Sequence, residues 1–148
     1  MIKEEDKTLF MLIGDVHRQF GHQVRDLEKQ SGLGTCVNCI LFELDRQGDL
    51  TQVEIVNKIH MRPSSISVAL QKMEVDGLIE RKTKDDDQRY TIVSITDKGK
   101  ESCMMMKKQV RELDDSITSK IDKNDLEVVK RVLREISTSF KGGNNENI

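Results

Sequence analysis

Three groups of side chains in this sequence are of types that do chemistry: three cysteines, a polar stretch after the single proline, and a basic cluster around residues 81–89. Cys36 and Cys39 form a C-x-x-C pair, and Cys103 stands alone. A metal centre would need a second thiol pair or histidines at ligand spacing. His17 and His22 are five residues apart and fall on different faces of a helix, so no metal site is expected. An odd number of cysteines does not make a disulfide framework. Two readings of the thiols stay open. One is a redox switch using Cys36, Cys39 or Cys103; the other is small apolar side chains filling a helical core. The sequence holds no phosphate loop and no visible set of acid, base and nucleophile. We therefore expect neither an enzyme nor a cofactor.

The stretch after Pro63 carries a different chemistry. Ile66, Leu70 and Met73 make one apolar stripe, and opposite it lie Ser64, Ser65, Ser67, Val68, Gln71 and Lys72. Small polar side chains allow a helix to lie close to a duplex. Gln71 can read adenine, the serines can bond to several bases, and Val68 can meet a thymine methyl. Arg62 and Lys72 suit phosphates better. Further along, Arg81, Lys82, Lys84 and Arg89 crowd a charged tip that also contains Asp85, Asp86 and Asp87. A basic tip beside a groove-reading helix can reach the neighbouring minor groove or backbone. Asp87 is expected to pair with an arginine or cap the turn, and Asp85 and Asp86 to be solvated.

These groups need elements to position them. Leu9, Ile13, Val16, Phe20, Val24 and Leu27 recur in steps of three and four, predicting one long amphipathic helix over 7–30. Ser31-Gly32-Leu33-Gly34 ends it, and Thr35 is expected to cap a second helix bearing Ile40, Leu41 and Leu44. Thr51 and Glu54 have the spacing of a capping box, opening a short helix that buries Val53, Val56 and Ile59. Pro63 suits the first position of the next helix, and Gly77 suits a left-handed turn ending it. The period then changes to that of two strands, 78–81 and 90–95. Helical pattern resumes with Met106, Val110, Leu113, Ile117 and Ile121. A last stripe, Leu126, Val129, Leu133, Ile136 and Phe140, is expected to start from an Asn124 cap. The fold class is thus mainly α with a small β-hairpin: a winged helix-turn-helix flanked by long terminal helices. Its expected divisions are 1–34, a dimerisation helix; 35–99, the winged unit; 100–141, further dimerisation helices; and 142–148, a frayed tail.

The chain has 148 residues, of which 34% are charged and 36% hydrophobic. That is enough for one domain with helical extensions. The net charge of −2 gives no argument for nucleic-acid binding, so that argument rests on local distribution. No apolar run approaches the roughly 20 residues of a membrane span, and residues 1–6 lack a secretory signal's apolar stretch. The expected location is the cytoplasm, with no membrane partner. The stripes on the first and last two helices exceed what a small winged unit can cover, and a two-fold partner is the simplest cover.

An ordered series of segments then resembles the MarR (multiple antibiotic resistance regulator) family. Leu50-Thr51-Gln52 opens the first helix of the motif and Pro63-Ser64-Ser65-Ile66-Ser67 the second; Met73 to Arg81 enters the wing. Asp87-Gln88-Arg89 matches the family's D-x-R element, and Ile95-Thr96-Asp97-Lys98-Gly99 its L-T-x-x-G exit. Met73 stands where leucine is usual, and Arg62 where a small capping residue is usual. The resemblance implies a triangular homodimer whose first and last helices intertwine, with Leu9, Ile13, Phe20, Ile117, Leu126, Val129, Leu133, Ile136 and Phe140 at the dimer interface. It implies a transcription regulator, most simply a repressor, on a palindromic operator in double-stranded DNA. Thr51, Arg62, Pro63, Ser64, Ser65, Ser67, Val68, Gln71, Lys72, Arg81, Lys82, Lys84, Asp87 and Arg89 form the expected DNA-facing set. By the same resemblance Arg89 enters the minor groove and Asp87 orients the wing. A small phenolic or anionic effector is expected near Met104-Met105-Met106, with Phe10, Phe20 and Phe42 as candidate walls. The alternatives are a thiol-sensing regulator and a winged module that binds protein.

Overall fold

A computed structural model of the chain describes residues 3–83 and 90–142. A short 3-10 turn, Glu4–Asp6, precedes α1 (Leu9–Ser31) and α2 (Thr35–Gln47). The central elements are β1 (Leu50–Thr51), α3 (Gln52–Lys58), α4 (Pro63–Val75), β2 (Ile79–Thr83) and β3 (Thr91–Ile95). Two helices follow, α5 (Asp97–Thr118) and α6 (Lys123–Gly142). The chain divides into two compact units, residues 1–109 and 110–148.

Local chemistry explains most of these boundaries. Thr8 caps α1 by accepting the Met11 amide, and Gly32, at φ +73°, ends it in the left-handed conformation that costs glycine least. Thr51 accepts the Glu54 amide while the Glu54 carboxylate takes the Thr51 amide, so the expected capping box forms. The Thr51 amide and hydroxyl hold the Glu54 carboxyl below the usual carboxylate range. Pro63 occupies the first turn of α4, and Arg62 before it supplies no side-chain cap.

Five expectations need correction. Thr35 does not cap α2: Gly34 holds that position, and the Thr35 hydroxyl instead donates to buried Glu28 at 2.6 Å. Asn124 does not cap α6, because Asp122 accepts the Asn124 and Asp125 amides at 2.8 and 3.2 Å. In α3 the fully buried residue is Ile55, whereas Val53 is 52% exposed. The hairpin also has a third strand, since Leu50 and Thr51 pair with Val93 and Ile92 to give the order β1-β3-β2. Ile121 lies beyond the end of α5.

The core of the first unit gathers α2, α3, α4 and the sheet. Ile40, Leu41, Ile55, Ile66, Leu70, Met73 and Val93 are all fully enclosed. Its tightest point is where α4 passes into β2. Gly77, at φ +73°, turns the chain; Leu78 donates its amide to the Met73 carbonyl at 2.8 Å. The exit from β3 returns to the same place. Thr96 donates its amide to the Leu78 carbonyl at 3.1 Å and its hydroxyl to the Gly77 carbonyl at 2.6 Å. Thr96 also accepts the Gly99 amide at 3.1 Å, opening α5 against the turn. A Cβ on Gly99 would lie 2.2 Å from the Leu78 carbonyl oxygen and 2.8 Å from Ile95 Cγ1. Backbone cannot retreat as a flexible side chain would. Gly99→Ala should therefore lower unfolding free energy by about 3 kcal/mol, read by urea denaturation. Unchanged stability would show that the close approach is not needed.

Candidate nucleic-acid interface

The outer face of α4 is built by elimination. Ile66, Ala69, Leu70 and Met73 point into the core, which leaves Ser64, Ser65, Val68, Gln71 and Lys72 exposed and Ser67 half-buried. Val68 is 66% exposed. All six expected positions on this helix thus share one accessible face. Arg62 and Pro63, exposed at its start, extend that face. Cys36 ties the helix to α2 from behind, its thiol donating to the Ser65 carbonyl at 3.9 Å.

An open groove runs between this face and the sheet, lined among others by Gln52, Ser67, Gln71, Glu74, Arg81 and Thr83. Two expected DNA contacts have protein partners here. The Thr51 hydroxyl is engaged in the α3 capping box. The Arg81 guanidinium donates through Nε to Glu74 Oε2 at 2.9 Å, and its Nη2 donates to the same oxygen. Sequence reading missed Glu74, because pairing across a turn seven residues long has no periodic signature. Lys82 is exposed on β2. Lys84, Asp87 and Arg89 lie outside the described residues, as do Asp85 and Asp86.

Burial is the largest influence on all three thiols and raises each above the ordinary cysteine range. At Cys39 the Glu28 carboxylate adds to this; at Cys103 the Lys107 ammonium opposes it. Sensor thiols are usually lowered, so that thiolate is present at neutral pH. Cys103 is fully enclosed and belongs to the hydrophobic core, with Cys36 and Cys39 packed against its edge. Among the described residues no group of three or more His, Cys, Asp or Glu side chains is placed to hold a metal ion. No described helix is long and apolar enough to cross a membrane. Nor do Phe10, Phe20 and Phe42 meet Met104-Met105-Met106 in any of the described pockets.

Comparison with known proteins finds one family model that matches part of the chain. The model of the MarR family matches residues 39–91, from α2 into β3. This segment is similar to the MarR family over those residues. Proteins of the family regulate transcription and are not enzymes. Two similar proteins of Bacillus subtilis are named as HTH-type transcriptional regulators. One is YdgJ, uncharacterized, 26% identical over 72% of this chain and 62% of its own length. The other is MhqR, 28% identical over 65% of this chain and 66% of its own. The chain thus aligns with somewhat less than two thirds of either relative. A MarR family protein from Bacillus stearothermophilus has the same fold, with a TM-score of 0.78 and 19% identity over 90% of this chain and 93% of that one. NadR in complex with 4-hydroxyphenylacetate has it too, with a TM-score of 0.66 and 19% identity over 92% and 96%.

The raised thiols make a direct prediction. Below its pKa a thiol stays protonated, so alkylation of Cys36 and Cys39 by iodoacetamide at pH 7 should be slower than that of a free cysteine. The rate should climb only at alkaline pH, read by mass spectrometry over time. Alkylation at pH 7 faster than the free amino acid would favour the redox reading over the core-filling one.

Proposed function

We propose that this chain is a MarR-type transcription regulator that binds a palindromic operator in duplex DNA as a homodimer, most simply as a repressor. The observation that carries the reading is the exposed face of α4, where Ser64, Ser65, Ser67, Val68, Gln71 and Lys72 stand clear of the core. A helix buried on one side by Ile66, Leu70 and Met73 has its base-reading groups aimed outward and its axis fixed. Fixed orientation is what sequence readout requires, since each base edge accepts only donors or acceptors at set positions. The named regulators among its relatives support the same reading.

A second copy is supported by the terminal helices. None of the α6 residues is fully buried, yet Leu126, Val129, Leu133, Ile136 and Phe140 make a continuous apolar stripe, with Phe140 66% exposed. On α1, Leu9, Phe10, Leu12 and Val16 are also exposed. An apolar area of this extent favours a self-complementary partner. Two copies related by a two-fold axis read a two-fold sequence. A small phenolic or anionic effector then modulates affinity, a reading supported by the 4-hydroxyphenylacetate that NadR holds.

Duplex binding should weaken steeply with salt, since each phosphate contact releases counterions. Lys72→Ala should reduce the salt slope by about 1 and weaken binding to all sequences alike. Gln71→Ala should instead relax preference at one base pair, by about 1–3 kcal/mol, with the slope unchanged. Wild-type affinity that is independent of salt would rule out the DNA reading. Separately, Leu133→Asp should give monomer or aggregate in sedimentation. A stable dimer from that variant would remove the last helix from the interface.

A further inference from the structure

Glu74 is an acidic residue on the groove that the reading above assigns to DNA, and an unneutralised carboxylate there would repel phosphate. Its partner is Arg81, which the sequence reading puts in the DNA-facing set. We propose that Glu74 and Arg81 are a positioning pair: Arg81 ties the wing to the recognition helix and does not itself hold a phosphate. This inference rests on the DNA reading of the same surface.

The argument is geometric. Backbone bonds secure the end of α4 as far as Leu78, through Gly77 to the Glu74 carbonyl at 3.1 Å and Leu78 to the Met73 carbonyl. On the far side, Lys98 donates to the Asp76 carbonyl at 2.6 Å, and Thr96 binds Gly77 and Leu78. All these anchors cluster within residues 73–78. They fix the base of the hairpin; further out β3 is held by its pairing with β1, while β2 is the outer strand of the sheet. Arg81 stands further out, opposite Val93 in the register, so a bond from it to α4 adds a second, separated point of attachment. Two separated attachments define an angle where one does not. The Arg81 side chain is 25% exposed and that of Glu74 41%. Two donors from one planar guanidinium to one carboxylate oxygen give the tie a direction that a lysine would not. The pair also enters the groove electrically neutral, which accounts for an acid at that place.

A charge swap separates a tie from a phosphate ligand, because it keeps net charge constant while moving the cation from β2 to α4. Exposed pairs are weak, so Glu74→Gln should lower affinity for the preferred duplex by about threefold, with binding to unrelated duplex unchanged. Glu74→Arg combined with Arg81→Glu should restore affinity to within about twofold of wild type. Two results would overturn the proposal: Glu74→Gln binding every duplex more tightly, or the swapped protein binding as weakly as Arg81→Glu alone. Hydrogen exchange without DNA gives an independent arm. The amides of Ile79–Thr83 should exchange faster in Glu74→Gln and Arg81→Gln and return to the wild-type rate in the swapped protein. If exchange behaves so while wild type binds no duplex, the DNA reading fails and the tie stands. Exchange unaffected by either single substitution would refute the tie itself.

Discussion

The contact between Gly99 and the Leu78 carbonyl is the constraint on which the rest of the winged unit depends. At that point α4 has just ended and the hairpin has just closed, and the chain must leave for α5 without displacing either. A side chain at 99 would push α5 away from the turn, and Thr96 would lose its bonds to Gly77 and Leu78 together. The Gly77 turn serves the same geometry from the other direction, since only a left-handed residue brings β2 back beneath the end of α4. Helix, hairpin and exit helix are therefore one mechanical piece. A surface that reads base edges needs such rigidity, because an error of an ångström in side-chain placement removes a hydrogen bond.

Periodicity and turn chemistry made most of this legible in the sequence. The stripe Ile66, Leu70 and Met73, the Thr51–Glu54 spacing, Pro63 and Gly77 each specify a local structure with a physical cause, and each forms as read. The exposed face of α4 follows from the stripe alone. What escaped was non-local. The strand Leu50–Thr51 is two residues long, so it has no alternation to detect and exists only because β3 offers an edge. Ile55 and Val53 are equally apolar, and which one faces inward depends on the packing of α3 against the sheet. The Glu28 carboxylate drew Thr35 away from a capping role, and Asp122 came two residues earlier than the cap expected. Arg81 shows the same limit at the interface: its charge was visible, its partner Glu74 was not.

Electrostatics at this surface is local. The whole chain carries a net charge of −2, so long-range attraction to a polyanion is not built into its composition. On the reading proposed above, affinity would come from a few exposed cations, among them Arg62, Lys72 and Lys82, while the acid in the groove is neutralised by its neighbour. On the same reading, a second copy would place two reading heads at once and so supply both affinity and symmetry. The apolar stripe of α6, exposed at Val129, Leu133 and Phe140, is the part of the chain that supports the proposal of that copy.

Selection of preferred duplexes from a random pool tests this account most directly, because it asks for sequence preference and symmetry in one measurement. The account predicts an enriched palindrome whose half-sites are centred about 10 base pairs apart, or a multiple of that. A pool with no enrichment, or one converging on a single asymmetric site, would contradict it.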